Sequence, residues 1–276
     1  MTDGSPRPVV RPVGLPARRN RVRRATAVLT PIRAGAAFVM VVTVLATYGV
    51  GASSAFLYRD LDFDAGAAAY TTREVVLEAL GLETGALNLF LMKTDTYQQR
   101  LLQLPAVTGA EVTASLPDVI RVRLVERLPV VVWSMTGRRF LVDRTGMLFA
   151  PAVSGGPGDG LPVVSDRRTA SAALEVGSYV DLVDLDAATR LAGVAPGDLG
   201  SIATELRVSI EEGDGFMIRP VGVPWIALFG VYTPSLRGPA MIPGQVRLLR
   251  SLLAGREFDV KSVVLADERN GTYVAR

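Results

Sequence analysis

The sequence predicts an α+β protein with one apolar helix near its N-terminus, a strand-helix-helix-strand-strand unit, and a longer strand-rich region. Three observations lead to this prediction. Residues 34–58 form a run of 25 residues without a charge. After this run, apolar residues recur first at helical spacing and then at every second position. From residue 129 onward, short apolar runs alternate with turns rich in glycine and proline.

The N-terminal segment, residues 1–33, is strongly basic. It has eight arginines and a single acid, Asp3, for a net charge of +7. The whole chain has a net charge of +3, so the remaining 243 residues carry −4. Because several prolines interrupt this segment, we predict a disordered basic tail ahead of an acidic body.

Residues 34–56 are predicted to form a transmembrane helix, since about 20 apolar residues suffice to cross a bilayer. Small residues near the end of the run leave a secretory signal peptide as the alternative: Ala52, Ser54 and Ala55. The run is longer than the roughly 7–15 residues of a signal core, which favours an uncleaved anchor. The arginines before it and the acids after it place the N-terminus in the cytoplasm and the larger part outside.

Composition excludes several classes of function. The chain contains no cysteine and no histidine. It therefore has no disulfides, thiolate metal sites, cysteine nucleophiles or serine-histidine-aspartate triads. An acidic region outside the membrane also has no nucleic acid to bind, so a nucleic-acid interface is not expected.

The first half of the outer region begins with a possible short strand at residues 55–63. A helix is then predicted from the capping pair Thr71 and Glu74 to Gly81. Its apolar positions lie at helical spacing: Val75, Ala79 and Leu80.

A second helix is predicted to start with Thr94 or Asp95 as its N-cap and to end at Pro105. Its apolar face is formed by three residues: Tyr97, Leu101 and Leu104.

Two strands should follow, at residues 106–115 and 119–126, joined by a tight turn at residues 116–118. The second strand alternates apolar and basic side chains. Its apolar side should face the two helices: Ile120, Val122 and Leu124. Arg121 and Arg123 should face water, with docking of a partner as the alternative. Arg127 falls on their side of the strand.

This arrangement resembles the FtsQ/DivIB family of bacterial cell-division proteins. Four units in order carry the resemblance: Leu104–Val107, Pro117–Asp118, Glu126–Pro129 and Val142–Phe149. The first strand departs from the family pattern, because Asp64, Ala65 and Gly66 replace an apolar unit. The resemblance implies a POTRA domain at 57–128 and a strand-rich β domain at 129–276, after the tail at 1–33 and the span at 34–56.

The strand-rich region contains several elements that the pattern indicates directly. A hairpin should turn at residues 144–146, and 154–162 should be an exposed loop. A short helix is expected within 182–193 and a longer one from Pro243 to Gly255. Strands are expected at residues 203–210, 215–220, 225–230 and 260–265, with a last short strand after an Asn270-Gly271 turn.

Several groups of residues in this region resemble chemical sites but lack a feature that each site requires. Residues 155–160 are glycine-rich but do not join a strand to a helix, as a nucleotide-binding loop must. Three nearby acids lack the glycine and distal glutamate of a calcium loop: Asp181, Asp184 and Asp186. Three others surround a turn tip: Glu211, Glu212 and Asp214. Trp133 and Trp225 are predicted to pack in a core or between domains. No catalytic, cofactor or metal site is predicted.

What remains is recognition of other proteins. The resemblance implies a partner-binding edge at the last strand, formed by four residues: Thr272, Tyr273, Val274 and Ala275. The alternative is a frayed C-terminus. The implied partners are divisome proteins of the FtsB/DivIC and FtsL types, with no small-molecule substrate.

The expected function is that of a non-enzymatic, single-pass scaffold for septum formation and septal peptidoglycan synthesis. A POTRA-containing protein of membrane transport or outer-membrane assembly and an anchored cell-wall enzyme are the alternatives.

Overall fold

The structure is a computed structural model that describes four stretches of the chain: residues 31–51, 53–64, 69–235 and 237–276. For residues 31–34, 50 and 51 it describes the backbone alone. The chain divides into two compact units between Val50 and Gly51. The predicted tail, apart from its last three residues, lies outside the described residues.

The first unit contains all of helix α1, Pro31–Gly51, except its last residue. This helix begins three residues before the predicted span and ends five residues before the predicted boundary at residue 56. Its large apolar side chains between Phe38 and Tyr48 are exposed. Within the described part of the chain, no helix combines the length and the apolar character needed to cross a membrane.

The second unit begins with a small three-stranded sheet. Its elements are β1 Asp60–Phe63, α2 Arg73–Leu80, α3 Thr94–Leu101, β2 Val107–Ser115 and β3 Val119–Glu126. The strand order is β1-β3-β2, with β1 parallel to β3 and β2 antiparallel to it. The predicted order of strand, two helices and two strands is therefore confirmed. Residues 65–66 of the unusual first-strand unit lie outside the described residues.

The alternation of β3 produces two different faces, as predicted. Ile120 and Val122 are fully buried beneath α2 and α3, and Leu124 is partly buried against the same cluster. On the other face, Arg121 and Arg123 are exposed, and Arg121 donates to Asp62 at 2.7 Å. Arg121 and Arg123 therefore both face water, and Arg121 also contacts the neighbouring strand β1.

Helix α2 starts one residue later than predicted. Thr72, not Thr71, is the N-cap, and its hydroxyl accepts the Val75 N–H at 3.4 Å. The shift places Val76 and Leu80 in the core and leaves Val75 exposed. The spacing to Glu74 favours Thr71 as the cap, but either threonine can act as an N-cap, and the structure uses Thr72, which has Val75 three positions later.

The predicted caps of α3 are also wrong. Thr94 and Asp95 lie inside the helix, and its N-cap is Lys93, which makes no side-chain capping bond. The helix ends at Leu101, four residues before Pro105.

The rest of the second unit is built around a nine-stranded sheet and two helices. The strands are β4 Pro129–Met135, β5 Arg138–Asp143, β6 Leu148–Pro151, β7 Val163–Asp166, β8 Glu205–Glu211, β9 Gly215–Val221, β10 Ile226–Gly230, β11 Val260–Leu265 and β12 Gly271–Ala275. The helices are α4 Leu182–Ala192 and α5 Ile242–Leu253. The strand order is β12-β11-β10-β9-β8-β7-β4-β5-β6. The predicted α+β class is thus confirmed for this unit.

Three neighbouring strand pairs in this sheet are parallel: β4 with β7, β7 with β8, and β10 with β11. The predicted hairpin between β5 and β6 is confirmed. Helices α4 and α5 pack on one face of the sheet in a single large core. Trp133 and Trp225 are fully buried in that core, which confirms their predicted packing role.

Candidate partner-binding edge

Strand β12 lies at one end of the nine-stranded sheet and pairs, within the described residues, with β11 alone. The pairing is antiparallel and places Thr272 opposite Val264, Tyr273 opposite Val263, and Val274 opposite Ser262. A strand at a sheet edge presents backbone N–H and C=O groups on its outer side. All four predicted site residues therefore lie together on an exposed edge.

One face of β12 lies on the side of α5. Tyr273 is opposite the buried Val263, and the residue remains 44% exposed. The Arg256 guanidinium lies 5.5 Å from the centre of this ring, and Arg256 Nη1 donates to the Tyr273 hydroxyl at 3.3 Å. The arginine orients an aromatic side chain that still has free surface.

The other face of β12 carries Thr272 and Val274. Val274 is 54% exposed, and Val264 of the neighbouring strand is also exposed. The register continues this face to Leu228 of β10, which is opposite Val264. The edge thus combines backbone hydrogen-bonding groups with an apolar strip on one face and an aromatic ring on the other.

The turn before β12 is organised by Asp267. Its carboxylate accepts the Asn270 side-chain amide at 2.6 Å and the backbone N–H groups of Arg269 and Asn270 at 2.7 Å each. These bonds, the Asn270 side chain first, hold the pKa of Asp267 below its ordinary value. The predicted Asn270-Gly271 turn is therefore a longer, aspartate-centred turn, and Gly271 already belongs to the strand.

Buried polar side chains fix the end of β11. The Leu265 carbonyl accepts hydrogen bonds from Arg237 and from Gln245, the latter at 3.3 Å. Gln245 is fully buried and accepts the Tyr232 hydroxyl at 2.7 Å. Burial raises the pKa of Tyr232, so this hydroxyl stays protonated and donates. The edge hairpin is consequently anchored to a rigid interior.

The junction between the two sheets is held by a nearly buried ion pair. Arg127 Nη1 lies 2.6 Å from Asp143 Oδ2, and Arg127 Nε donates to the Pro105 carbonyl at 2.7 Å. Arg127 therefore does not share the solvent-facing role of Arg121 and Arg123. Its partner is 16 residues away in β5, a distance over which local pattern carries no signal.

The same junction also contains hydrogen bonds to Glu126 and a contact between two aromatic rings. The Glu126 carboxylate accepts the backbone N–H groups of Ala69 and Tyr70, the shorter bond being 2.6 Å. The Tyr70 ring then meets Phe149 of β6 edge-on, with 5.1 Å between ring centres. Ala106 packs with Phe149 in a small separate cluster. The Glu-Arg unit at the end of β3 thus uses both of its charges at the junction.

The acids considered as calcium ligands have separate roles. Asp181 caps α4 by accepting the Val183 N–H at 2.8 Å. Asp186 pairs with Arg190 at 2.7 Å on the same helix. Asp184 is largely buried and accepts Arg168 Nη1 at 2.6 Å. Within the described residues, no acids or other ligands gather in a group of three that could hold a metal.

The acids at the β8–β9 turn also interact separately. Glu211 pairs with Arg219 at 3.2 Å and with Arg167 at 3.3 Å. Glu212 accepts the Thr169 N–H at 2.8 Å. These contacts give both glutamates a structural explanation.

The buried tryptophans have polar partners that were not predicted from the sequence. Trp133 Nε1 donates to Asp166 at 3.2 Å, and Trp225 Nε1 donates to Glu257 at 2.7 Å. Asp166 also accepts Arg168 at 2.8 Å. A buried indole N–H usually has a hydrogen-bond acceptor. A tryptophan predicted to be buried is therefore a sequence signal for a polar partner such as a carboxylate.

Comparison with known proteins agrees with this architecture. Residues 65–127 match the family described as POTRA domain, FtsQ-type. The small sheet with its two helices is therefore a POTRA domain, which is followed here by a strand-rich mixed sheet.

Curated proteins that are similar to this chain are cell division proteins. The chain is 26% identical to the cell division protein FtsQ of Chloroflexus aurantiacus over 94% of this chain and 89% of that protein. It is 30% identical to FtsQ of Chloroflexus aggregans over 55% of this chain and 49% of that protein. For FtsQ of Mycobacteroides abscessus the identity is 32%, over 49% and 43%. The chain is thus similar to FtsQ proteins, and the resemblance to the FtsQ/DivIB family is confirmed.

Proposed function

We propose that this chain is a non-enzymatic, single-pass membrane scaffold that helps to assemble the division machinery. Its relationship to FtsQ proteins supports a role in cell division. In this proposal, the tail occupies 1–33, the span 34–56, the POTRA domain 57–128 and the β domain 129–276. The scaffold supports septum formation and septal peptidoglycan synthesis through the proteins that it holds.

The proposed membrane anchor is supported by the 25 uncharged residues at 34–58 and by the basic segment before them. The apolar side chains of α1 are exposed from Phe38 to Tyr48, a surface that lipid would cover favourably. Extraction of cell membranes with alkaline carbonate tests the anchor. The full chain should remain in the membrane pellet with its Met1 end intact, whereas release into the supernatant would contradict an uncleaved span.

The proposed binding mode is addition of a partner's strand to the free edge of β12. The observation that carries it is the exposed edge itself, with Tyr273 and Val274 on its two faces. Backbone hydrogen bonds would supply affinity, and the flanking side chains would supply specificity. The proposed partners are divisome proteins of the FtsB/DivIC and FtsL types.

Binding of an FtsB/DivIC-type partner to the full chain tests this mode. Tyr273→Ala should weaken binding about tenfold or more, because an aromatic anchor at the centre of an interface commonly contributes at least 1.4 kcal/mol. Tyr179→Ala is the matched control, since Tyr179 is also exposed but lies far along the chain from β12. Removal of residues 270–276 should abolish binding. Unchanged partner recovery after that deletion would refute the edge assignment.

Two further assays address the cellular role and the absence of catalysis. Depletion of the chain should give filamentous or undivided cells, and normal septation after clean deletion would contradict a division role.

The purified full chain should leave peptidoglycan intact. Release of soluble fragments from peptidoglycan would instead favour an anchored cell-wall enzyme.

A further inference from the structure

An apolar surface lies at the end of the POTRA domain where the chain enters it. Three of its side chains are strongly exposed: Phe90 at 45%, Leu91 at 52% and Leu116 at 52%. Phe56 joins them, because its ring centre lies 6.0 Å from that of Phe90. We call these four residues the entry patch. They come from three separate segments, so the patch is a property of the folded domain.

Hydrogen bonds hold the first two segments together. Leu57 and Asn88 form an antiparallel bridge, and the Tyr58 N–H donates to the Leu87 carbonyl at 2.8 Å. The Asn88 side chain accepts the Phe90 N–H at 2.9 Å and thereby fixes the short turn that carries Phe90 and Leu91. The exposed side chains are therefore displayed by ordered backbone.

The third segment is the turn between β2 and β3. The Asp118 carbonyl accepts the Arg59 N–H at 2.9 Å, which brings this turn beside the start of β1. Leu116, two residues earlier, is thus displayed at the same end of the domain. Apolar side chains collected in this way on a soluble surface usually mark a place where something binds.

We propose that the entry patch rests on the outer surface of the lipid bilayer. The inference depends on the proposed membrane anchor. Phe56 follows the last residue of α1, Gly51, by only five positions, so the connecting chain can extend over no more than about 18 Å. This limit follows from chain length and is independent of how the two units are oriented. If α1 is anchored in lipid, Phe56 and the ring packed beside it are tethered close to the membrane surface.

The chemistry of the patch matches the boundary between lipid and water. Aromatic and large aliphatic side chains are favoured there, where one end of the ring meets acyl chains and the other meets head groups. Lys93 follows Leu91 by two positions and is exposed. Its long side chain can reach the head groups while the patch stays in contact with the apolar layer. Contact at the patch would restrict the tilt of the POTRA domain.

Fluorescence quenching by brominated lipids in vesicles tests this inference on the full chain. Phe90→Trp and, separately, Leu91→Trp place a reporter in the patch, and the parent chain supplies the background from Trp133 and Trp225. The matched control is Phe258→Trp, because Phe258 is 57% exposed in the β domain. The added emission at residues 90 and 91 should be quenched by brominated lipid, and the emission at residue 258 should not.

The outcomes separate this inference from the anchor on which it rests. Retention in the membrane after carbonate extraction, together with quenching at residues 90 and 91, supports both. Retention without quenching overturns the lipid contact and leaves the anchor intact. Release by carbonate overturns the anchor and the inference together.

Discussion

Asp143 accepts four hydrogen bonds although its side chain is nearly buried. They come from Arg127, from the Thr145 backbone and hydroxyl, and from the Met147 N–H. Burial alone raises the pKa of Asp143, but these bonds outweigh it and hold the pKa below its ordinary value. The charged carboxylate is therefore built into the junction between the two sheets.

Replacement of Asp143 by asparagine should destabilise the full chain by about 3–5 kcal/mol, because it leaves the nearly buried Arg127 without its counter-charge. Urea unfolding in detergent, followed by the emission of Trp133 and Trp225, measures the loss. Asp62→Asn is the control. Asp62 pairs with Arg121 on the surface at 2.7 Å, a distance close to the 2.6 Å of the Arg127–Asp143 pair. Equal effects of the two substitutions would contradict a special role for the junction pair.

At this scale, the sequence predicts a residue's environment where local alternation decides it. Ile120 and Val122 are buried, and Arg121 is exposed, as the period of two requires. Arg127 and Asp184 were not predicted, because each is neutralised by a residue 16 positions away. Such pairs form only after the strands and helices have packed, and a single sequence contains no periodic trace of them.

The turn between β8 and β9 illustrates how an element depends on a neighbouring strand. Gly215 has φ +71°, and a Cβ atom there would overlap the Gly230 carbonyl carbon at the end of β10. Gly213, in the same turn, has φ +81° and open space around it. Both positions favour glycine for conformational reasons, but the close strand contact exists only at Gly215 of the two.

Gly215→Ala should therefore cost about 2–5 kcal/mol, from left-handed backbone strain together with overpacking against β10. Gly213→Ala should cost only the backbone part, about 1–2 kcal/mol. Thermal unfolding of the two variants beside the parent chain gives the comparison. If alanine at residue 213 proves as costly as alanine at residue 215, the contact with Gly230 is energetically unimportant.

Elements with strong local signals and the hairpins between neighbours were predicted well, but the pairing of strands distant in sequence was not. The POTRA order, the β5–β6 hairpin and α4 follow from periodicity, caps and turn residues. Strand β7, Val163–Asp166, was missed because four residues after a glycine-rich loop show too little alternation to recognise. Its parallel pairing with both β4 and β8 joins segments that are distant in sequence. The four residues proposed for partner binding lie together on one strand, and their binding role stays a prediction.

Across the whole molecule, the response to pH follows from composition and from three buried or partly buried carboxylates. Burial raises the pKa values of Asp143, Asp166 and Glu257, but hydrogen bonds lower them further, so that each ends below its ordinary value. The stability that they contribute is present above their unfolded pKa and is lost as pH falls through the folded pKa. Asp184 works in the opposite direction, because burial raises its pKa.

We expect the urea midpoint of the full chain to be nearly constant between about pH 6 and 9 and to fall below about pH 4. No histidine, whose ordinary pKa is about 6.5, is present to change the stability within the flat range. Unfolding curves recorded in detergent from pH 3 to 9 test this profile. A loss of stability between pH 6 and 8 would show that a group other than these carboxylates controls the fold.

The order of the large sheet also sets a length. The POTRA domain contacts β6 through Phe149, whereas β12 is the strand at the opposite end. Eight strand spacings of about 4.8 Å separate the two edges, which gives a span of roughly 38 Å across the sheet. A partner strand added at β12 would therefore lie across the full width of the sheet from the contact between Tyr70 and Phe149.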